Sequence, residues 1–341
     1  MIRRAVLALA AASSLSGCVA AVAAPIAASG MLGRKIIKGD GDRNEDVGGD
    51  RGERAQQSED GVTMLPPGSA LPAPPGATPA ANPVAAPPAV PPGMQYLYGS
   101  GEAAAASMQT WRALVRHVAD KALRRPKESV VLAEDATLAT PKWIPCGKKP
   151  PAAVFDVDET VLLNLGFEYD TAKGNAYDPA RWDAWEKTGA DKVVATPGAS
   201  AALQSLRTMG VEVVFNSNRS AANAEATAAA LDGAGLGPAK HGETLFLQGD
   251  DEAGNAKDQR RRTIAAKYCV LAMAGDQLGD FSDLFNAQQS PAGRRAETLS
   301  TPVNARFGAG WFLFPNPVYG TALKGGVDDV FPQDMRWSPP Q

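Results

Sequence analysis

The segment Ala152-Ala153-Val154-Phe155-Asp156-Val157-Asp158-Glu159-Thr160 decides the fold. Four apolar residues run without alternation, as in a strand buried on both faces, and stop at two carboxylates spaced i, i+2. At a strand end that spacing aims both carboxylates into one cleft. Side by side they repel, so a bound cation or a proton must hold one of them. The motif alone is a weak signal, because half of it recurs elsewhere: Asp40, Asp42 and Asn44 imitate the start of a calcium loop. There Glu45 stands where that loop needs glycine, and Arg51 where it needs glutamate.

Working outward, the chain alternates apolar strands with helices. Helical spacing of Met108, Trp111, Val115, Val118 and Ala122 predicts an amphipathic helix over 102–123, ended by Pro126, with Trp111 in the core. Asp178-Pro179 opens a helix carrying Trp182 and Trp185, with Asp as cap and Pro at its first position. Residues 199–209 form a helix closed by Gly210, 211–215 a strand, and 220–234 a helix begun by Ser220. Strands at 244–247 and 269–274 flank a helix at 260–267. The expected fold class is α/β: a three-layer α/β/α parallel sheet with a short helical insertion and an N-terminal helix.

Ligands of such sheets bind beyond the carboxyl ends of the strands. Three further polar groups stand there. Asn216-Ser217-Asn218-Arg219 follows an apolar strand, and its hydroxyl suits a phosphoryl oxygen. Lys257, with Arg260 and Arg261, supplies cations. Gly275-Asp276-Gln277-Leu278-Gly279-Asp280-Phe281 places acids after a buried strand, where they need a partner or a cation.

In the order Asp-x-Asp, Ser, Lys, Gly-Asp…Asp, these groups resemble the four motifs of the haloacid dehalogenase-like superfamily. Phe155 to Thr160, Asn218-Arg219, Lys257-x-x-Arg260, Gly275-Asp276-x-Leu278-x-Asp280-Phe281 and the late Phe314-Pro315-Asn316-Pro317-Val318-Tyr319-Gly320 are similar to bacterial acid phosphatases related to outer-membrane lipoprotein e. The resemblance spans about residues 96–332. It implies a phosphomonoesterase in which Asp156 forms an aspartyl-phosphate and Asp158 is the general acid/base, its backbone carbonyl also helping to hold the metal. It further implies that Ser217, Asn218 and Lys257 bind the phosphoryl group, and that Asp156, Asp158 and Asp276 hold Mg2+. Asp280 and Arg219 would support those groups, Asp280 reaching the metal through water. Ser217 replaces the usual threonine and Gln277 the common asparagine, and neither change removes a reacting group.

About fifty residues separate the Asp pair from the next strand, too few for a large lid, so a fairly open site is expected. Phe167, Tyr169, Tyr177, Trp182 and Trp185 fall in this insertion. The family's nucleotidase activity implies a slot that stacks a base or nicotinamide ring, while ordinary packing accounts for any one of these aromatics equally well. The substrate class implied is a small phosphomonoester, nucleotides included. A ligand-binding surface lipoprotein, for instance one for haem, is the alternative, and the presence of only two histidines, His117 and His241, weakens it. With 34 basic and 37 acidic residues, the chain lacks the basic surface of a nucleic-acid polymer binder.

Ahead of this domain, Arg3-Arg4, an apolar run and Leu15-Ser16-Gly17-Cys18 read as a secretory signal over 1–17. The last four residues resemble a lipobox, which implies a diacylated Cys18, a lipidated stretch over 18–38, and export to the bacterial envelope. The expected setting is the outer membrane, since Val19 follows the cysteine in place of aspartate. Pro25 and the weakly apolar alanines make a membrane-spanning helix a poor alternative. Residues 39–93, charged and glycine-rich and then holding eleven prolines between Pro66 and Pro92, cannot bury a core and read as a disordered linker. The catalytic domain is expected over 94–341. Its two cysteines, Cys146 and Cys269, precede strands that the superfamily's sheet places side by side. They are either a disulfide or two buried thiols. A homodimer is one open arrangement.

Overall fold

A computed structural model describes residues 89–287 and 290–340, all within one compact unit, Ala80–Gln341. The expected signal segment, the Cys18 acylation site, residues 18–38 and the linker as far as residue 88 lie outside the described residues.

The unit opens with helices α1 (Pro92–Gly99) and α2 (Gly101–Arg124), then a hairpin of β1 (Glu128–Leu132) and β2 (Trp143–Pro145). Strand β3 (Pro151–Phe155) carries the Asp pair at its end. The insertion comprises β4 (Leu162–Leu163), α3 (Leu165–Ala172), α4 (Pro179–Thr188) and β5 (Val194–Ala195). Alternation then resumes: α5 (Ala199–Thr208), β6 (Glu212–Ser220), α6 (Ala224–Gly233), β7 (Leu245–Gln248), α7 (Asp258–Lys267) and β8 (Cys269–Gly275). Helix α8 (Pro291–Ser300) and β9 (Trp311–Leu313) follow.

Five strands form one sheet in the order β7-β6-β3-β8-β9, and every neighbouring pair is parallel. Period-two alternation splits its side chains between two apolar cores. Ala153 and Phe155 pack with Trp111, Leu114 and Val118 of α2 and with residues of α5 and α6. Ala152 and Val154 face Ile264 and Ala265 of α7, Trp311, and Val130 to Leu132 of the hairpin. Burial on both faces is why these strands read as unbroken apolar runs, and it places β3 at the centre of a three-layer α/β/α fold.

Order begins slightly earlier than composition predicts. Pro92 and Gly93, assigned to the linker, form the first turn of α1. A Cβ on Gly93 would lie 1.9 Å from Pro317 O, so only glycine lets α1 dock on this C-terminal segment. Strand β6 runs five residues beyond its expected end, through polar Asn216 to Ser220, because its ladder to β7 continues where its side chains reach the site. Ser220 therefore caps a single 3-10 turn, accepting from Ala222 N–H at 3.2 Å, and the helix proper starts at Ala224. Cys146 and Cys269 are joined by a disulfide with Cα atoms 4.5 Å apart, where Cys269 begins β8.

Candidate active site

A cavity of about 740 Å³ is lined by residues from the carboxyl ends of β3, β6 and β8. Asp156 leaves β3 with its N–H bonded to Ala274 O of β8 at 2.9 Å, which anchors the nucleophile candidate to the sheet. Its Oδ1 accepts from Lys257 Nζ at 2.5 Å and its Oδ2 from Thr160 Oγ1 at 3.2 Å. The same ammonium donates to Asp280 Oδ1 at 2.7 Å. Lys257 is placed by its backbone as well. Asp283 Oδ1 accepts its N–H at 2.9 Å and Asp283 Oδ2 accepts that of Asp258, capping α7.

Asp276, directly after β8, accepts through Oδ2 from Asn316 Nδ2 at 2.6 Å and from Gln277 Nε2 at 3.0 Å. Gln277 thus supports the site in place of the asparagine. Asp156, Asp276 and Asp280 bring one oxygen each to within 4.8 Å of one another. Three buried or nearly buried carboxylates face one ammonium. Burial lifts Asp156 to about 7 despite Lys257, and burial with the charges of Asp280 and Asp156 lifts Asp276 well above the usual carboxylate range. Burial alone would lower Lys257, yet Asp156 and Asp280 hold it above its ordinary value. An all-oxygen, over-negative cluster of this kind fits a hard divalent cation. Asp280 enters it directly, where the sequence placed it behind the ligands. The Asp158 carboxylate lies outside this cluster.

Asp158 instead faces Arg219, whose Nε and Nη2 donate to Oδ1 at 2.9 and 2.7 Å, while Asn164 Nδ2 donates at 2.9 Å. Arg219 Nη2 also donates to Asn164 Oδ1 at 2.8 Å. Glu159, in the left-handed region at φ 53°, is buried beneath. It accepts from Asn164 N–H at 2.9 Å, from Tyr98 OH at 3.2 Å and from Tyr319 OH. A strained non-glycine residue persists where its surroundings over-determine it, and here α1, the insertion and the C-terminal segment all converge on one carboxylate. Burial and the Asp158 charge raise Glu159 to about 7, against the pull of Tyr319 and Asn164.

Two residues expected at the phosphoryl group have other partners in the structure. Ser217 is fully buried, does not line the cavity, and accepts from Arg219 N–H at 3.0 Å, so its Oγ stabilises the β6 end. Asn218 does line the cavity, but Arg260 Nη2 and Asn255 O already engage its amide, at 2.6 and 3.0 Å. Among the aromatics, Phe167, Tyr177 and Trp182 line the cavity, with Phe167 and Trp182 edge-on at 5.0 Å. Tyr169 does not line it; it is exposed beneath Lys173. Trp185 also packs elsewhere, donating to Asn164 Oδ1 at 3.2 Å. Neither histidine reaches the cavity: His117 contacts Leu271 O and His241 pairs with Asp250.

Sequence reasoning assigned no role to Glu159, Asn164, Glu168 or Asp283. The first two sit inside or beside the quoted Asp-x-Asp segment, so proximity was the available signal. Asp283 caps a helix distant in sequence and pairs with Arg261 on it, and no local pattern marks it.

A parallel sheet with an Asp-x-Asp pair on its central strand and a Lys-Asp cluster beside it defines a protein of the haloacid dehalogenase (HAD) type. Residues 100–322 match the model for the HAD superfamily, subfamily IIIB (acid phosphatase), and the chain belongs to that family of hydrolases. It is similar to the class C acid phosphatase from Bacillus anthracis, with TM-score 0.54 and 26% identity over 67% of this chain and 84% of that one. The same Bacillus enzyme with tungstate bound gives TM-score 0.55 at the same identity and coverage. Acid phosphatase 1 of Solanum lycopersicum is 29% identical over 144 residues, 40% of this chain. The chain spans about half the length of that curated relative, 53%.

Proposed function

We propose that this chain hydrolyses phosphomonoesters as an acid phosphatase, with Asp156 as nucleophile and Asp158 as general acid/base. The observation that carries the reading is the Asp156–Lys257–Asp280 bridge on the cavity wall, with Asp158 two residues from the nucleophile. An Asp156 oxygen attacks phosphorus as the bond to the leaving oxygen breaks, and Asp158 gives that oxygen its proton. Asp158 then takes a proton from water, which attacks the aspartyl-phosphate and releases phosphate. Lys257 offsets charge beside the nucleophile, and Arg219 with Asn164 holds Asp158 in place. Asp156, Asp276 and Asp280 would hold a divalent cation, Mg2+ in this proposal, which neutralises phosphoryl charge when bound.

The aromatic wall of Phe167, Tyr177 and Trp182 supports substrates with a planar ring, of which nucleoside 5′-monophosphates are the proposed class. Leu15-Ser16-Gly17-Cys18 supports acylation at Cys18 and attachment to the envelope. Fatty-acid labelling that survives Cys18→Ala would contradict the anchor. Acid-quench mass spectrometry during turnover tests the intermediate: a phosphoryl group on the peptide carrying Asp156 is expected, and its location elsewhere would overturn the mechanism.

A further inference from the structure

The insertion contributes an ionisable group to the cavity that the phosphoryl chemistry does not use. Glu168, on α3, is 5% exposed and lines the cavity beside Phe167 and Trp182. No hydrogen-bond donor from the described residues engages its carboxylate. Arg181 is the cation whose charge acts on it, but that guanidinium already donates to Asp170 Oδ2 at 2.7 Å and lies over the Phe167 ring. Nearby Tyr98 directs its hydroxyl to Glu159. A carboxylate taken out of water without a donor is costly, and a ligand that brings a donor relieves that cost.

We infer that Glu168 is a specificity-determining residue: it accepts a hydrogen bond from a cationic donor, such as an ammonium, on the alcohol part of the phosphomonoester. It thereby favours such esters over those of neutral alcohols, uncharged nucleosides included, and rejects alcohols that carry a second anion. Besides Lys257 at the nucleophile, two cations line the cavity and could favour an anionic alcohol. Arg294 is engaged by Phe285 O and Asn286 Oδ1, and Lys324 is exposed, where water screens it. Glu168 acts from a partly desolvated position, where a charge discriminates more strongly.

The inference rests on the proposed hydrolysis, and three aryl esters matched in size separate the two: 4-(aminomethyl)phenyl, 4-methylphenyl and 4-carboxyphenyl phosphate. With the full chain and magnesium, above about pH 7 where the Glu168 carboxyl is ionised, kcat/KM is expected to be about tenfold or more higher for the ammonium ester than for the methyl ester, and lowest for the carboxylate. In Glu168→Gln the ammonium-to-methyl ratio should fall to about one, whatever the absolute rate, and Glu168→Asp should keep a ratio above one. Hydrolysis of all three esters at equal efficiency by the wild type would overturn the role of Glu168 and leave the phosphatase reading standing. So would a preference that survives Glu168→Gln. Hydrolysis of none would overturn both. The wild-type ratios decide the matter even if a variant fails to fold.

Discussion

Arg219 holds Asp158 through two donors to one oxygen, Nε at 2.9 Å and Nη2 at 2.7 Å, across 61 residues of sequence. The arginine is buried at the end of β6, so the proposed general acid/base of the β3 loop is positioned by the neighbouring strand. Arg219→Gln should lower kcat by about a hundredfold with little change in KM, since misplacing a reacting group costs rate more than binding. Arg219→Lys should restore part of that loss and shift the pH-rate profile. Stopped assays across pH, with melting curves in parallel, check this. A kcat loss without any change in pH profile would assign Arg219 a purely structural role.

Glu159 ties α1, the insertion and the C-terminal segment together through Tyr98, Asn164 and Tyr319. Glu159→Ala leaves several buried donors without an acceptor, at about 1–3 kcal/mol each. A fall of that order in unfolding free energy is expected by denaturant titration. Tyr98→Phe removes a single donor and should cost far less.

Burial lifts the Glu168 carboxyl from 4.5 to about 7, opposed by Arg181. Between those values the unfolded chain has released a proton that the native state keeps, so rising pH favours unfolding. The contribution is fully present below about pH 4.5 and lost as pH rises through about 7. The melting temperature of Glu168→Gln should therefore gain on the wild type across that window and level off above it. A constant difference between the two would contradict the raised value.

Cys146 and Cys269 close a loop of 123 residues. On the chain-entropy model such a bridge stabilises by about 4–5 kcal/mol. In a Cys18→Ser chain, thiol titration under denaturing conditions should find no free thiol before reduction and two after. Cys269→Ser should lower the denaturant midpoint correspondingly.

Much of the fold was legible because β3, β6 and β8 are buried on both faces and so read as apolar runs ending at the site. The polar end of β6 was not, because the strand continues through Asn216 to Ser220 while Asn218 and Arg219 serve the site. The hairpin of β1 and β2 escaped for another reason: five and three residues carry too little periodicity. At the site, Asp156 and Asp276 were readable from strand ends, and Lys257 from the order of motifs. The burial of Ser217 away from the cavity and the solvent-facing Tyr169 were not, since side-chain direction at an irregular strand end or on a short helix follows from tertiary packing. The direct entry of Asp280 into the carboxylate cluster likewise depends on the turn after β8 folding back on Lys257.

The central claim is tested most directly by hydrolysis of p-nitrophenyl phosphate by the wild type and Asp156→Asn, each with magnesium and with chelator. Metal-dependent turnover by the wild type, abolished in a folded Asp156→Asn protein, is the predicted result. Undiminished turnover by Asp156→Asn, or no turnover by the magnesium-loaded wild type, would contradict it.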